Sequence, residues 1–317
     1  MREEGYPKRF RRQKRLWMKL DCTEERETTI QLGSSCPFNL DFTLCCGQAF
    51  RWNKQGDWWQ GVVGEEVCKI RQKGQELEFE GVNEGFIRNY FRLHDDLPKI
   101  FLEINKDKNI EAAIGEFKGL RILRQEPWEC LISYICATYK SISAIKRMLS
   151  ILSERFGEDI CQESERFCTF PKPAKLARAS VQELTACGLG YRAKYVSGTA
   201  KLICEDTLDF ECLKKTAYEK AKEELMSLPG VGPKVADCVL LFSLERLEAF
   251  PVDVWIKRAI LKYYAKHFSE EFFMRKSTQE SLSSSEYKKL SSFGRGYFGN
   301  YAGYAQEYLY HYERTQC

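Results

Sequence analysis

The 317-residue chain lacks any run approaching the ~18–20 consecutive apolar residues that a membrane span requires. Its first residues, MREEGYPKRFRRQKRLWMKL, have no apolar stretch behind their charges, so no secretory leader is read there. The 14 cysteines never fall at CxxC spacing or in a four-cysteine loop, which removes the sequence basis for a zinc ribbon or an iron–sulfur cluster. No repeat of fixed period is present, and SSS at 283–285 is the one low-complexity run. These absences lead to the expectation of an intracellular protein with reduced thiols, no metal and no redox cofactor.

What is present is an ordinary globular composition, 44% hydrophobic and 30% charged, with a high aromatic content of 13%. The net charge of +4 is unevenly placed: residues 1–20 carry eight Lys and Arg against two Glu, and the remainder is nearly neutral. Any nucleic-acid site in the body must therefore be a local basic patch. The basic tail is assigned to residues 1–22.

Alternating apolar residues broken by Gly between Thr28 and Gly81 predict short antiparallel strands, including the stretch FNLDFTLCCGQAFRW. After Asn83 apolar residues recur three and four apart, and Pro and Gly punctuate them, which predicts helices. The fold class expected is α+β: an antiparallel β-rich subdomain over 23–122, then a mainly helical core over 123–317 whose two lobes enclose a DNA cleft.

The segment LPGVGPKVADCVLLFSL holds the most specific signal. Gly230 and Gly232 permit backbone conformations closed to other residues, and Pro233 suits the first turn of a helix. With the upstream TAYEKAKEELMSL the pattern is a helix-hairpin-helix over about 216–244, which aims backbone N–H groups at a phosphate. Lys234 stands in the first turn of a helix that is apolar nearly all round. A free lysine with pKa ~10.4 is neutral at pH 7 in about one molecule in 2,500, a deficit of ~4.6 kcal/mol, and the helix dipole supplies less than one pKa unit. Desolvation under a bound substrate has to supply the rest if Lys234 is a nucleophile; phosphate binding is its other role.

Nineteen residues on, in AFPVDVWIKRAI, Asp253 occupies an N-cap position. A neutral amine beside a carboxylate suits attack on a sugar carbon: Asp253 stabilises positive charge on the sugar while Lys234 adds at C1′ to give a Schiff base, whose acidified C2′ proton leaves with expulsion of the 3′ phosphate.

The Lys–Asp arrangement in LPGVGPKVADCVLLFSLERLEAFPVDVWIKRAI resembles that of the bifunctional helix-hairpin-helix DNA glycosylases. CGQAFRW, LRILRQEPWECLISYICATY, CGLGYRAKYV and YAGYAQEYLYHY, in that order, resemble the 8-oxoguanine DNA glycosylase family from about Cys36 onward. The resemblance implies base-excision repair of duplex DNA containing 8-oxoguanine, by an N-glycosylase that also acts as an abasic-site lyase. It also implies roles for further residues. Gln306 meets the pairing edge of a flipped base, Tyr310 and Cys238 close its two faces, and the Gly47 carbonyl accepts the N7–H that distinguishes 8-oxoguanine from guanine. Tyr191 and Arg192 resemble residues that fill the gap in the duplex. Where the eukaryotic members of the resembled family carry a run of asparagines this chain has Tyr139, Lys140 and Ser141, an arginine they use on the opposite cytosine is matched by Ala144, and a histidine of theirs by Trp255. Those departures predict a weak preference for cytosine opposite the lesion. A monomer is expected, with a downstream abasic-site endonuclease as a partner. Two alternatives stand beside this reading: a glycosylase of the same superfamily for another damaged base, and a DNA-binding module without chemistry. Lys234 argues against the monofunctional relatives, and the joint presence of Lys234, Asp253, Gln306 and Gly47 argues against the bare module.

Overall fold

The computed structural model describes residues 28–33, 36–162, 165–272 and 282–316. The basic tail expected over 1–22 lies outside them. Five strands, β1 (Thr29–Gln31), β2 (Trp52–Gln55), β3 (Trp58–Val63), β4 (Glu66–Lys73) and β5 (Glu76–Glu80), form one antiparallel sheet in the order β1-β5-β4-β3-β2. Strand β5, ELEFE, shows why: Leu77 and Phe79 point into the core, and the three glutamates point outward or sit at its margin. Opposite them, Ile70 pairs with Phe79 and Trp59 with Ile70, so the large side chains stack across three strands.

One expectation fails in this region. FNLDFTLCC is not a strand but contains a short helix, Leu40–Cys45, capped by the Asn39 side chain, which accepts from Phe42 N at 2.9 Å. Its buried residues are Leu40, Thr43 and Leu44, three and four apart, and the helical spacing wins over an alternation too short to form a ladder. Helices also begin at once after the sheet: Glu84–Tyr90, Leu97–Ile104 and Lys108–Glu116. The last two pack into the larger, helical core and not under the sheet.

That larger core centres on two helices that are apolar nearly all round, Pro127–Ala137 and Pro233–Ser243, packed against each other. A fully buried Leu, Ile or Val contributes ~1.5–3 kcal/mol, and Leu131, Ile132, Leu240 and Leu241 are all fully buried. The C-terminal helix Ala302–Thr315 lies against Val254–Tyr263, Ser284–Phe298 and Lys108–Glu116. A two-stranded hairpin, β6 (Asp159–Gln162) with β7 (Glu165–Cys168), interrupts the mainly helical part. Among the described residues no helix is long and apolar enough to cross a membrane.

Sheet and helical core are tied together by buried Gln48. Its amide nitrogen donates to the carbonyls of Thr43 (2.9 Å) and Arg121 (2.8 Å), and its amide oxygen accepts from Leu123 N at 2.8 Å. The Gln48 carbonyl in turn accepts from Gln125 and from the Tyr134 hydroxyl. These bonds fix the loop that carries Gly47 against the helix Pro127–Ala137.

Candidate active site

The hairpin forms as its residues dictate. The helix Tyr218–Met226 ends before Pro229, whose carbonyl accepts from Thr199 Oγ1 at 2.9 Å. Gly230 has φ +79, and a Cβ there would come within 2.6 Å of the Tyr195 side chain, so both conformation and packing require glycine. Gly232 is the N-cap of Pro233–Ser243, and the space before it is open. The first N–H groups of a helix end have no carbonyl partner within the helix, the arrangement that suits a phosphate.

Lys234 is half-buried one residue into this helix, with Nζ 4.9 Å from the centre of the Tyr134 ring. Such a cation–π contact is worth ~0.5–2 kcal/mol and holds the side chain at the wall of a cavity of ≈ 790 Å³. Asp253 lines the same cavity. As expected from its position it caps the helix Val254–Tyr263, its carboxylate accepting from Ile256 N at 2.9 Å. Burial pushes the carboxyl up, while the Ile256 N–H and the Lys234 charge pull it back. Capping and chemistry are compatible, because a carboxylate has about four lone-pair sites and the N–H donors of the cap do not fill them all.

Gly47, Cys238, Gln306 and Tyr310 line the same cavity. Gln306 is only 5% exposed, and its amide oxygen has no hydrogen-bond partner among the described residues, which makes it a ready acceptor for a ligand. Gly47 has φ +101; a Cβ there would stand 3.3 Å from the Tyr310 hydroxyl and 3.1 Å from Arg314 Nη1. Burial pushes the Cys238 thiol up to about 12, so it faces the cavity as a neutral, polarizable surface. Two residues at this site carried no sequence expectation. Glu307 is buried beside Gln306, one carboxyl oxygen is without a partner among the described residues, and burial pushes it up to about 7. Arg314 donates to the Cys45 carbonyl at 2.7 Å and lies 5.3 Å from the Tyr310 ring centre, so it pins the Cys45-Cys46-Gly47 loop to the last helix. Neither breaks the apolar periodicity in a way that signals function.

The residues expected at the duplex divide. Tyr139 and Lys140 border the cavity, and Tyr139 is 85% exposed at φ +54, a conformation that costs a bulky residue ~1–2 kcal/mol. Tyr191 is 56% exposed and stacks edge-on with Tyr195 next to the hairpin, outside the cavity. Arg192, by contrast, is 4% exposed and also outside the cavity. Its guanidinium donates to the carbonyl of Thr138, so it braces the turn that presents Tyr139. Among the described residues no group of three or more His, Cys, Asp or Glu is placed to hold a metal ion.

Comparison with known proteins fits this geometry. Residues 31–131 match the family model "8-oxoguanine DNA glycosylase, N-terminal domain", and residues 132–283 match "HhH-GPD superfamily base excision DNA repair protein". The N-glycosylase/DNA lyase of Saccharomyces cerevisiae is 32% identical over 306 residues, covering 84% of this chain and 81% of the relative. The chain belongs to the 8-oxoguanine DNA glycosylase family. A probable N-glycosylase/DNA lyase of Methanothermobacter thermautotrophicus is likewise 32% identical, over 68% of this chain and 70% of its own length. The Clostridium acetobutylicum 8-oxoguanine glycosylase/lyase, solved with double-stranded DNA containing cytosine opposite 8-oxoG, superposes with a TM-score of 0.81 at 32% identity. That superposition covers 94% of this chain and 99% of the other. As a member of the 8-oxoguanine DNA glycosylase family the protein is a DNA-binding base-excision repair enzyme.

Two of the departures from the eukaryotic pattern can be located. Trp255 half-lines the cavity under the Arg258 guanidinium, 4.9 Å from its ring centre. Ala144 gives its N–H to the Ser141 cap at 3.3 Å.

Proposed function

We propose that the protein excises 8-oxoguanine from duplex DNA and then cleaves the strand at the abasic site, both through one covalent intermediate on Lys234. The observation that carries this reading is that a lysine amine, a carboxylate, an unpartnered amide oxygen and the Gly47 loop line one cavity. A flipped purine between Cys238 and Tyr310 expels water, offers its pairing edge to Gln306 and its N7–H to the Gly47 carbonyl. Loss of that one contact costs ~1–3 kcal/mol, so flipping and entry supply the remaining discrimination.

As the N-glycosidic bond breaks, its electron pair leaves with the base and positive charge grows on the sugar, where Asp253 stabilises it. The neutral Lys234 amine forms a bond to C1′, and its proton passes to the ring oxygen as the C1′–O4′ bond breaks, which leaves an open-chain Schiff base. Removal of a C2′ proton then pushes electrons toward the imine and expels the 3′ phosphate. Water releases the lysine and leaves an unsaturated aldehyde on the 3′ end. That blocked end calls for an abasic-site endonuclease, the partner proposed here for a protein that acts as a monomer in the compartment that holds DNA. Mass spectrometry of bases released from duplexes carrying 8-oxoguanine, guanine, an oxidised pyrimidine or adenine opposite 8-oxoguanine tests the substrate: 8-oxoguanine alone is expected, and release of another base in its place refutes the assignment.

A further inference from the structure

One buried carboxylate in the core takes no part in the chemistry above. Asp237 follows Lys234 by one helical turn and is fully buried. It accepts from the Tyr218 hydroxyl, from Lys222 Nζ at 2.8 Å and from the Tyr287 hydroxyl at 2.6 Å. Tyr218 and Lys222 belong to the first helix of the hairpin motif, and Tyr287 belongs to Ser284–Phe298. One anion thus joins three helices, its charge matched by Lys222 and its lone pairs filled by two hydroxyl donors.

The far side of Tyr287 gives the cluster its meaning. The hydroxyl that donates to Asp237 accepts from Val252 N at 3.3 Å, and Val252 immediately precedes Asp253. One turn along the same helix, Ser291 Oγ donates to the Phe250 carbonyl at 2.9 Å and lies 3.4 Å from Asp237. The segment 250–253, which presents the carboxylate, therefore hangs from two hydroxyls keyed to the helix that presents the lysine. A Cβ on Gly294 would come within 2.4 Å of the Phe250 ring, so the helix backbone packs directly on that ring.

We infer that Tyr287 is a positioning residue that sets Asp253 against Lys234, with Asp237 as the anchor through which the hairpin motif holds both. This rests on the proposed role of Asp253 at the base-excision step. The ring of Tyr287 packs at the cavity wall, so removal of the hydroxyl alone changes the two hydrogen bonds and little volume.

The test measures single-turnover release of 8-oxoguanine and, separately, cleavage of a preformed abasic site for wild type, Tyr287→Phe, Ser291→Ala and Asp253→Asn, with Tm for each. Tyr287→Phe is expected to slow base release about tenfold, or 1.4 kcal/mol. Its abasic-site cleavage is expected to fall less than about twofold, or ~0.4 kcal/mol, and Ser291→Ala to follow in the same direction. Equal loss at both steps together with a lowered Tm makes the cluster structural only and overturns the inference. So does unchanged base release in Tyr287→Phe when Asp253→Asn slows it. If Asp253→Asn itself leaves base release unchanged, the proposed role of Asp253 is what fails, and the inference falls with it.

Discussion

Gly47→Ala separates recognition of the base from chemistry at the sugar. The residue sits at φ +101, so any side chain costs ~1–2 kcal/mol of backbone strain. Its Cβ would meet Ile142 Cδ1 at 2.9 Å, Arg314 Nη1 at 3.1 Å and the Tyr310 hydroxyl at 3.3 Å. All three are ends of side chains, which yield where backbone does not, so the fold is expected to survive with Tm lowered by a few degrees, ~2–4 °C per kcal/mol. The same three ends form the wall against which the purine would lie, and their displacement moves the Gly47 carbonyl from its partner. A displaced contact of that kind is worth ~1–3 kcal/mol, or about five- to 150-fold in rate. Single-turnover excision of 8-oxoguanine should fall by that factor, whereas cleavage of an abasic site, which has no base to recognise, should change less than about twofold. Equal loss on the two substrates, or full excision by the variant, would refute the placement of Gly47 in base recognition.

Three further expectations concern charge. Burial raises Glu307 from its ordinary 4.5 to about 7, so the folded state holds this proton more tightly than the unfolded chain. Stability is then lost as pH rises from about 4.5 to about 7, by ~3 kcal/mol in all. Glu307→Gln should therefore raise Tm relative to wild type at pH 8 and not at pH 4.5; a pH-independent difference between the two would contradict the burial of an ionisable group there. Removal of residues 1–18 should weaken non-specific DNA binding and flatten its salt dependence by ~0.9 in log–log slope per lost phosphate contact, and an unchanged slope would show that the tail does not touch DNA. With Ala144 in place of a cation and Tyr139 to Ser141 in place of asparagines, excision opposite C, T, G and A should differ by less than about tenfold, or 1.4 kcal/mol. A larger preference for cytosine would mean that other residues read the partner base.

The parts of the site that sequence made legible are those where one residue type has few jobs. Gly230 and Pro233 can only be hairpin and first-turn residues in LPGVGPK, and both stand there. Asp253 read as a cap and is one. The meeting of Lys234, Asp253, Gly47 and Gln306 at a single cavity required the family resemblance, because 259 residues separate Gly47 from Gln306 and no local pattern encodes their contact. Leu40–Cys45 was hidden because a six-residue helix and a short strand share the same apolar count, and the Asn39 cap was the signal that distinguished them. Arg192 resembles a residue that fills the gap in the duplex, and the fold turns its guanidinium inward to the Thr138 carbonyl; a single charged letter does not say which side of a helix will be covered. Glu307 was silent for the opposite reason, since a glutamate in an aromatic helix looks like its solvated face until the packing of Cys46, Gln306 and Arg314 around it is known.

The most direct test of the account is borohydride trapping on duplexes that carry one 8-oxoguanine, one undamaged guanine or one abasic site, with wild type and Lys234→Gln. A covalent complex of wild type with the 8-oxoguanine and abasic duplexes is expected, none with guanine, and none of any kind for Lys234→Gln, which should still bind the lesion. Trapping that persists in Lys234→Gln, or wild-type trapping on the abasic site alone, would contradict it.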